Sequence, residues 1–254
     1  MRIALISDIH GNAIALEAVL QDAQRAGVDA IVCLGDIVLG GPGPREALER
    51  IMALECPVVR GNTDETVANA RPKATPLKGS KTAQQSATQP VAQDAQSRSR
   101  DVAQWCRAQL EEHHVEFLQS LPLTATVELT GGQRLLAYHG TPRSVTEPLY
   151  PTTPDDELKE LFAGVDALVY AGGHTHCQMV RRYKASLVVN PGAVGLPFGF
   201  NPPNVAEYAI VHAENRFLDV SLRRVPIDHE AVAAAILAST MPHREWLAAQ
   251  WHKA

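Results

Sequence analysis

The stretch IALISDIHGN, residues 3–12, sets a polar Asp-His-Gly-Asn cluster directly after a short apolar run. The apolar residues 3–6 predict a buried β-strand. An amphipathic segment at residues 13–26 follows, with Asn12 in the N-cap position and Gly27 just past its end, and this pattern predicts an α-helix. A strand, a polar turn and a helix in this order indicate an α/β fold with functional residues at the carboxyl end of the strand.

The same pattern recurs further along the chain. Residues 30–34 predict a second strand that ends in Gly-Asp, and residues 45–54 predict a helix after the turn GGPGP. Residues 57–60 predict a third strand that ends in GNTDE. Together these segments predict a βαβαβ beginning.

The second half of the chain is rich in predicted strands. Strand and helix alternate first and strands meander later, which predicts an α/β fold of two stacked β-sheets flanked by helices. We expect one domain over residues 1–254. The further predicted strands are residues 124–129, 134–139, 167–171, 187–190, 206–212 and 217–225, and the further predicted helices are residues 101–120, 155–162 and 228–238.

Composition excludes several classes of protein. The chain has 254 residues, 45% apolar and 20% charged, with a formal net charge of −5, which argues against a general nucleic-acid coat protein and a stable nucleic-acid complex. The longest apolar run, residues 231–238, is far shorter than the roughly 20 residues that cross a bilayer. The N-terminal residues resemble no secretory signal, and the four cysteines form no CxxC pair, so we expect reduced thiols in a cytoplasmic protein.

Residues 71–100 interrupt the pattern with six basic residues and one acidic residue. Leu77 and Val91 are the only large aliphatic residues in this segment. The composition predicts a basic, low-complexity insertion at about residues 71–100 that forms a solvated loop. Because its charge is opposite to that of the rest of the chain, a mobile flap over an anionic ligand and an oligomer contact remain alternatives.

Potential metal ligands collect at the ends of the predicted strands. Asp8 and His10 are two residues apart, as are His174 and His176, so on an extended chain each pair points to one side. Such pairs can clamp one cation or straddle two. Carboxylates, an amide oxygen and imidazoles suit Mn, Fe, Ni, Co or Zn better than Ca or Mg. The candidate ligands are Asp8, His10, Asp36, Asn62, His139, His174 and His176.

The motifs SDIHGN, LGD, RGNTDE, YHGTP, GGHTH and NPGAVG, in this order, closely resemble those of the calcineurin-like metallophosphoesterases, in particular their small bacterial branch. The resemblance implies a sandwich of two mixed β-sheets flanked by helices, and two divalent metal ions, with manganese expected and iron, nickel, cobalt or zinc as alternatives. It also implies that Asp8, His10 and His176 hold one ion, that Asn62, His139 and His174 hold the other, and that Asp36 bridges them. A hydroxide between the ions would attack phosphorus in line.

The resemblance also implies roles around the substrate. Asp36, Asn62 and Asp64 are the expected catalytic residues, and Asn62 and Asn12 are expected to bind substrate. Arg143, just after YHGTP, is a further substrate-binding candidate because a guanidinium matches phosphate bidentately, and it is equally compatible with a surface loop. Many relatives have a histidine, taken to protonate the leaving group, where this chain has Thr63. Threonine is no useful acid at neutral pH. His113 and His114 could replace that histidine, although a solvated helix face is the alternative that we favour.

The expected function is metal-dependent hydrolysis of a small phosphate ester, with phosphodiesters favoured because some relatives that lack the histidine remain active on diesters with good leaving groups. A phosphomonoesterase or protein phosphatase is the alternative within the enzyme class, and a non-catalytic scaffold of the same fold is the alternative outside it. We expect no membrane partner, and the sequence leaves a homo-oligomer open.

Overall fold

The structure is a computed structural model, and it describes residues 1–71, 91–196, 204–214 and 217–251, with the backbone alone for residues 91–94. The strands are β1 (Arg2–Ile6), β2 (Ala30–Cys33), β3 (Thr124–Glu128), β4 (Arg134–Tyr138), β5 (Val169–Ala171), β6 (Met179–Tyr183), β7 (Ser186–Asn190), β8 (Val205–Glu214) and β9 (Phe217–Pro226). The helices are α1 (Ala13–Arg25), α2 (Pro44–Met52), α3 (Asn62–Ala68), α4 (Val91–Gln109), α5 (Glu112–Ser120), α6 (Asp155–Leu161), α7 (His229–Ala238) and α8 (Arg244–Ala248).

The strands form two mixed sheets. The first has the order β2-β1-β8-β9, in which β1 runs parallel to β2 and antiparallel to β8. The second has the order β3-β4-β5-β7-β6, in which β4, β5 and β7 are parallel neighbours. This arrangement confirms the predicted α/β fold class of two mixed sheets flanked by helices.

The alternation of side chains along the strands builds the layers. Ile3 and Leu5 of β1 belong to a buried apolar cluster that also contains Leu135 and Val169 of the second sheet, so this cluster lies between the sheets. Ala4 and Ile6 point the other way, into a cluster with residues of α1, α2, α4 and α5. A third cluster packs α6 against the second sheet. Burial on both faces fixes the register of each central strand.

Several predicted elements differ from the structure. Residues 57–60 form only a single bridge, Cys33 with Val58, rather than a strand. The predicted helix at residues 101–120 is two helices, α4 and α5, which meet at Leu110 and Glu111. The sequence patterns missed α3, β6 and α8, because short elements carry too few periodic positions to stand out.

The insertion predicted at residues 71–100 is partly helical. Residues 91–100 belong to α4, which packs against α2 and α3, so the loop prediction is wrong for this part. Residues 72–90 of the prediction lie outside the described residues. Within the described part of the chain, no helix combines the length and the apolar character needed to cross a bilayer.

Candidate metal centre

The carboxyl ends of four strands bring the candidate ligands together. Asp8 follows β1 and Asp36 follows β2, its parallel neighbour in the first sheet. His139 follows β4, and the pair His174 and His176 follows β5, its parallel neighbour in the second sheet. Because the two sheets are stacked, these four strand ends meet at one edge of the sandwich.

Asp8, His10 and His176 form one group whose ligand atoms all lie within 4.8 Å of one another. His176 Nε2 lies 3.1 Å from Asp8 Oδ1, and His10 Nε2 lies 3.7 Å from the same oxygen. The two Nε2 atoms are 3.2 Å apart. One carboxylate oxygen and two imidazole nitrogens thus converge on a single point, and the group could hold a metal ion.

Asp8, Asp36 and His139 form a second group of the same kind. His139 Nε2 lies 3.4 Å from Asp36 Oδ1, while Asp36 Oδ2 lies 3.7 Å from His10 Nε2. The two oxygens of Asp36 therefore face different groups. The side-chain oxygen of Asn62 lies 3.0 Å from His139 Nε2 and adds an amide donor atom to the second group.

His174 lies beside the second group without belonging to either set. Its ring centroid is 5.2 Å from that of His139. Its Nε2 lies 3.2 Å from the carbonyl oxygen of Thr146, and since a carbonyl only accepts, this nitrogen donates. The lone pair of the neutral ring is consequently on Nδ1, which leaves Nδ1 as the potential ligand atom.

Backbone carbonyls fix the tautomers of two further histidines. His10 Nδ1 donates to the carbonyl of Leu39 at 2.7 Å, and His139 Nδ1 donates to the carbonyl of Leu34 at 2.7 Å. In each neutral ring the lone pair is then on Nε2, the nitrogen that faces the carboxylates. Metal-ligating histidines characteristically use their second nitrogen in this way.

A buried carboxylate oxygen without a hydrogen bond indicates that the candidate ligands fit a divalent cation. Asp8 Oδ1 is buried and accepts no hydrogen bond from any described residue, although two imidazole nitrogens lie close to it. A buried carboxylate oxygen without a hydrogen-bond donor is costly unless a cation compensates its charge. Mixed nitrogen and oxygen donors are the set that first-row transition metals accept.

Backbone strain is concentrated in the same residues. Eight non-glycine residues of the described chain have positive φ, and five of them are candidate ligands: Asp8 (55°), His10 (51°), Asp36 (56°), His174 (67°) and His176 (55°). The left-handed conformation costs roughly 1–2 kcal/mol per non-glycine residue. Such strain persists where the surrounding structure holds a functional geometry in place.

Comparison with known proteins identifies the family. Residues 1–216 match the model of the calcineurin-like phosphoesterase superfamily domain. The chain belongs to this superfamily. The resemblance that the sequence motifs indicated is confirmed.

The similarity to three known proteins extends over almost the whole length of this phosphoesterase-superfamily chain. An uncharacterized protein of Methanocaldococcus jannaschii is 29% identical over 263 residues, covering 96% of this chain and 95% of the relative. The crystal structure of a metallophosphoesterase from Sphaerobacter thermophilus is 29% identical with a TM-score of 0.74 and covers 99% and 98% of the two chains. A hypothetical protein from Pyrococcus horikoshii has the same fold, with a TM-score of 0.74, 21% identity and coverage of 95% and 94%.

The buried carboxylates and imidazoles of the candidate metal centre shift one another's pKa values. Burial alone would raise the pKa of Asp8, but the nearby His176 and His10 lower it well below its ordinary value. Asp36 is shifted down in the same way, chiefly by His139. Burial would lower the pKa of His139, yet the charge of Asp36 raises it to about 10. Protons on the imidazoles thus balance the carboxylates where a metal ion could do so.

These shifts predict a pH-dependent stability of the metal-free chain. His139 stays protonated in the folded state up to about pH 10 but loses its proton near pH 6.5 when unfolded, so its contribution is complete below pH 6.5 and is lost as the pH rises through 10. One such group lowers the free energy of unfolding by about 1.4 kcal/mol per pH unit between pH 7 and 9. In EDTA, we expect the Tm to fall by about 5–10 °C over this range.

Two variants separate this effect from general alkaline destabilisation. His139→Gln should remove at least half of the slope of Tm against pH, measured by calorimetry in EDTA. His212→Gln is the matched control, because His212 lies on β8 opposite Arg2, at the far end of β1 from Asp8. An unchanged slope in His139→Gln would contradict the assignment.

Asp64 and Thr63 sit at the start of α3, next to the candidate ligands. Asp64 is fully buried and accepts the backbone N–H groups of Ile37 (2.7 Å), Val38 (3.3 Å) and Gly61 (3.2 Å). Burial, together with the charge of Asp36, raises the pKa of Asp64 to about 6. These contacts tie the loop after β2 to the beginning of α3, and the catalytic role expected of Asp64 from the sequence stays a prediction.

Asn12 makes its side-chain contacts within the fold, and the substrate-binding role expected of it from the sequence stays a prediction. Asn12 is fully buried, its side-chain oxygen accepts from Ala15 N at 3.0 Å as the N-cap of α1, and its Nδ2 donates to Gly195 O at 3.2 Å. Both ends of the amide are therefore used within the fold. The N-cap prediction for the same residue is correct.

Arg143 is likewise engaged by a neighbour. Its Nε donates to Glu147 Oε2 at 2.8 Å, and its NH2 group donates to Glu147 Oε1. This bidentate pair engages the guanidinium, and the role of Arg143 as a phosphate clamp stays a prediction beside the surface-loop interpretation.

The two histidines considered as replacements for the absent histidine belong to another part of the fold. His114 Nδ1 accepts from Glu111 N at 3.1 Å at the start of α5, and the ring centroid of the exposed His113 lies 3.9 Å from that of His114, with the planes tilted by 41°. His114 is buried, so the expectation of a solvated face holds for His113 alone. Sequence reasoning missed the carbonyls of Leu34, Leu39 and Thr146, because a backbone carbonyl has no signature in the sequence.

Proposed function

We propose that this chain is a metal-dependent phosphodiesterase with a two-metal centre at the carboxyl ends of β1, β2, β4 and β5. The observation that carries the proposal is the convergence of two groups, Asp8 with His10 and His176, and Asp8 with Asp36 and His139. Membership of the phosphoesterase superfamily supports the reaction class.

The proposed ligands divide between two ions. In this proposal Asp8, His10 and His176 would hold one ion, Asn62, His139 and His174 would hold the other, and Asp36 would be shared. The two oxygens of Asp36, which face His139 and His10, support its shared role. When bound, divalent cations would polarise the phosphoryl oxygens and lower the pKa of water. We propose manganese, with iron, nickel, cobalt or zinc as alternatives for the same donor set.

The chain's own residues prepare this chemistry through their hydrogen bonds. The carbonyls of Leu39 and Leu34 orient the rings of His10 and His139. The N–H of Thr63 donates to Asp36 Oδ1 at 2.9 Å, and the N–H of His174 donates to Asp8 Oδ2 at 3.0 Å. Each carboxylate is thus held by a backbone donor while its other oxygen remains directed at the imidazoles.

The absence of a strong side-chain acid at residue 63 supports esters with good leaving groups, and the resemblance to relatives that lack the histidine favours diesters among them. The Thr63 hydroxyl is buried and makes no hydrogen bond to any described residue, and an alcohol donates no proton usefully at neutral pH. The site therefore favours esters whose leaving group departs without strong protonation.

The state of the cysteines supports the proposed cytoplasmic location. Cys33, Cys56, Cys106 and Cys177 are free in the described part of the chain, and reducing compartments keep thiols in this state. Burial raises the pKa of the Cys56 thiol to about 11 and that of Cys106 to about 12, which keeps both unreactive at neutral pH.

Hydrolysis assays test the proposal directly. After EDTA treatment and reconstitution with Mn²⁺, Fe²⁺, Ni²⁺, Co²⁺ or Zn²⁺, we expect hydrolysis of bis-p-nitrophenyl phosphate with a kcat/KM at least about tenfold above that for p-nitrophenyl phosphate, since the leaving group is the same and only the second ester group differs. The EDTA-treated protein should be inactive. Faster monoester hydrolysis would favour a phosphomonoesterase, and inactivity with every metal would favour a scaffold.

A further inference from the structure

We propose that the cavity beside the candidate metal centre binds a planar aromatic group, a nucleobase or an aryl ring, that forms the second ester group of the substrate. This inference rests on the proposed function, because it assigns the organic part of that diester. The cavity has a volume of about 300 Å³ and lies between α4, α8 and the loop after β1. His10 and Thr63 line it, so it adjoins the proposed reaction site.

The size and the walls of the cavity favour an apolar occupant. Its volume is at the lower end of the roughly 300–1,000 Å³ of small-molecule pockets, which suits one ring system rather than a polymer. Val102 of α4, Leu196 and Leu247 of α8 provide apolar walls. Such walls stabilise a ring by removing its faces from water and give little to a sugar or a second phosphate.

Trp246 and Arg98 give the cavity planar surfaces. The guanidinium carbon of Arg98 lies 4.8 Å above the ring of Trp246, and both residues line the cavity. Trp246 is 47% exposed, although large aromatic residues usually bury most of their surface. Indole and guanidinium planes are the groups on which nucleobases and aryl rings stack, and the guanidinium also attracts an anionic ester.

Because the cavity lies beside the candidate metal centre, its position indicates which part of the substrate the cavity binds. A phosphoryl group at the proposed ligands would lie next to His10, and a substituent on phosphorus would extend past Thr63 toward Trp246. A monoester with a small alcohol would leave the cavity unfilled. The cavity should therefore give the protein a preference for esters that carry a ring over esters that do not.

Three diesters with the same leaving group test the proposal on the full-length, Mn²⁺-loaded protein. They are phenyl p-nitrophenyl phosphate, thymidine 5′-(p-nitrophenyl phosphate) and methyl p-nitrophenyl phosphate, with each kcat/KM divided by the uncatalysed rate of the same ester. We expect the normalised value to be at least about tenfold higher for one or both ring-bearing esters than for the methyl ester. The better of the two rings identifies an aryl or a nucleobase preference.

Substitutions of Trp246 test whether this residue of the cavity causes the preference for ring-bearing esters. Trp246→Ala should reduce the ratio between ring-bearing and methyl esters to below about threefold, and Trp246→Phe should retain most of it. Phe217→Ala is the matched control, because Phe217 is an exposed aromatic residue opposite Glu214, at the far end of the sheet from Asp8. Circular dichroism checks the fold of each variant.

A binding measurement separates failure of the cavity proposal from failure of the proposed function. By calorimetry, phenylphosphonate should bind the wild-type protein at least about tenfold more tightly than methylphosphonate, and Trp246→Ala should remove this difference. If no ester is hydrolysed but this difference is found, the proposed function fails and the cavity proposal stands. If the wild-type protein binds both phosphonates equally, or hydrolyses all three diesters at equal normalised rates, the cavity proposal is overturned.

Discussion

The substitution Asp36→Asn is expected to lower the kcat/KM of the Mn²⁺-loaded protein by at least about a hundredfold. Loss of a residue that merely supports a metal ligand already costs about 10–100-fold, and Asp36 is proposed to contact both ions. Its Oδ1 faces His139 and its Oδ2 faces His10, so the amide nitrogen of asparagine would replace a negative oxygen on one side. Elemental analysis should then find fewer than two metal ions per chain.

Asp219→Asn provides the matched control for this experiment. It makes the same change of one oxygen to one nitrogen on an exposed residue of β9, opposite His212 at the far end of the sheet. Activity and metal content of this variant should equal those of the wild type. Full metal content and undiminished turnover in Asp36→Asn would contradict the shared role of Asp36.

The sequence was most informative where an apolar run, which predicts a strand, is followed directly by residues that can bind a metal. Asp8 and His10 follow an apolar run, and that run forms the central strand β1, so the position of the strand end was predicted correctly. The same holds for β4 and the His139 that follows it, while the role of these residues as metal ligands stays a prediction. Burial on both faces requires a continuous apolar run, and this requirement makes central strands easy to predict from sequence.

What the sequence could not predict depends on contacts between distant segments. Asn12 and Arg143 have side chains suited to phosphate binding, but Gly195 and Glu147 engage them, and no local pattern reveals those partners. Residues 91–100 have the composition of a loop and nevertheless form the first part of α4, whose buried residues Ala103 and Cys106 lie further along the same helix. Sequence patterns likewise do not reveal the backbone carbonyls that orient His10 and His139.

Gly61→Ala is expected to lower both activity and stability, although alanine suits the backbone at this position. Gly61 has φ −94° and ψ 162°, which any residue adopts. A Cβ atom there would lie 2.1 Å from both the backbone nitrogen and Oδ1 of Asp36. Asp36 Oδ1 also accepts from Thr63 N at 2.9 Å, so a carboxylate that moves away from the added Cβ would strain or lose that bond.

The displacement of Asp36 should affect both activity and stability. We expect kcat/KM to fall at least about a hundredfold, as for Asp36→Asn, and the free energy of unfolding to fall by about 1–3 kcal/mol, the usual cost of overpacking. Denaturant unfolding and diester hydrolysis measure the two effects. Gly43→Ala is the control: its φ is −127°, and its added Cβ would meet chiefly the mobile end of Glu46 at 3.0 Å. Equal activity in both variants would show that the close approach of residue 61 does not hold Asp36 in place.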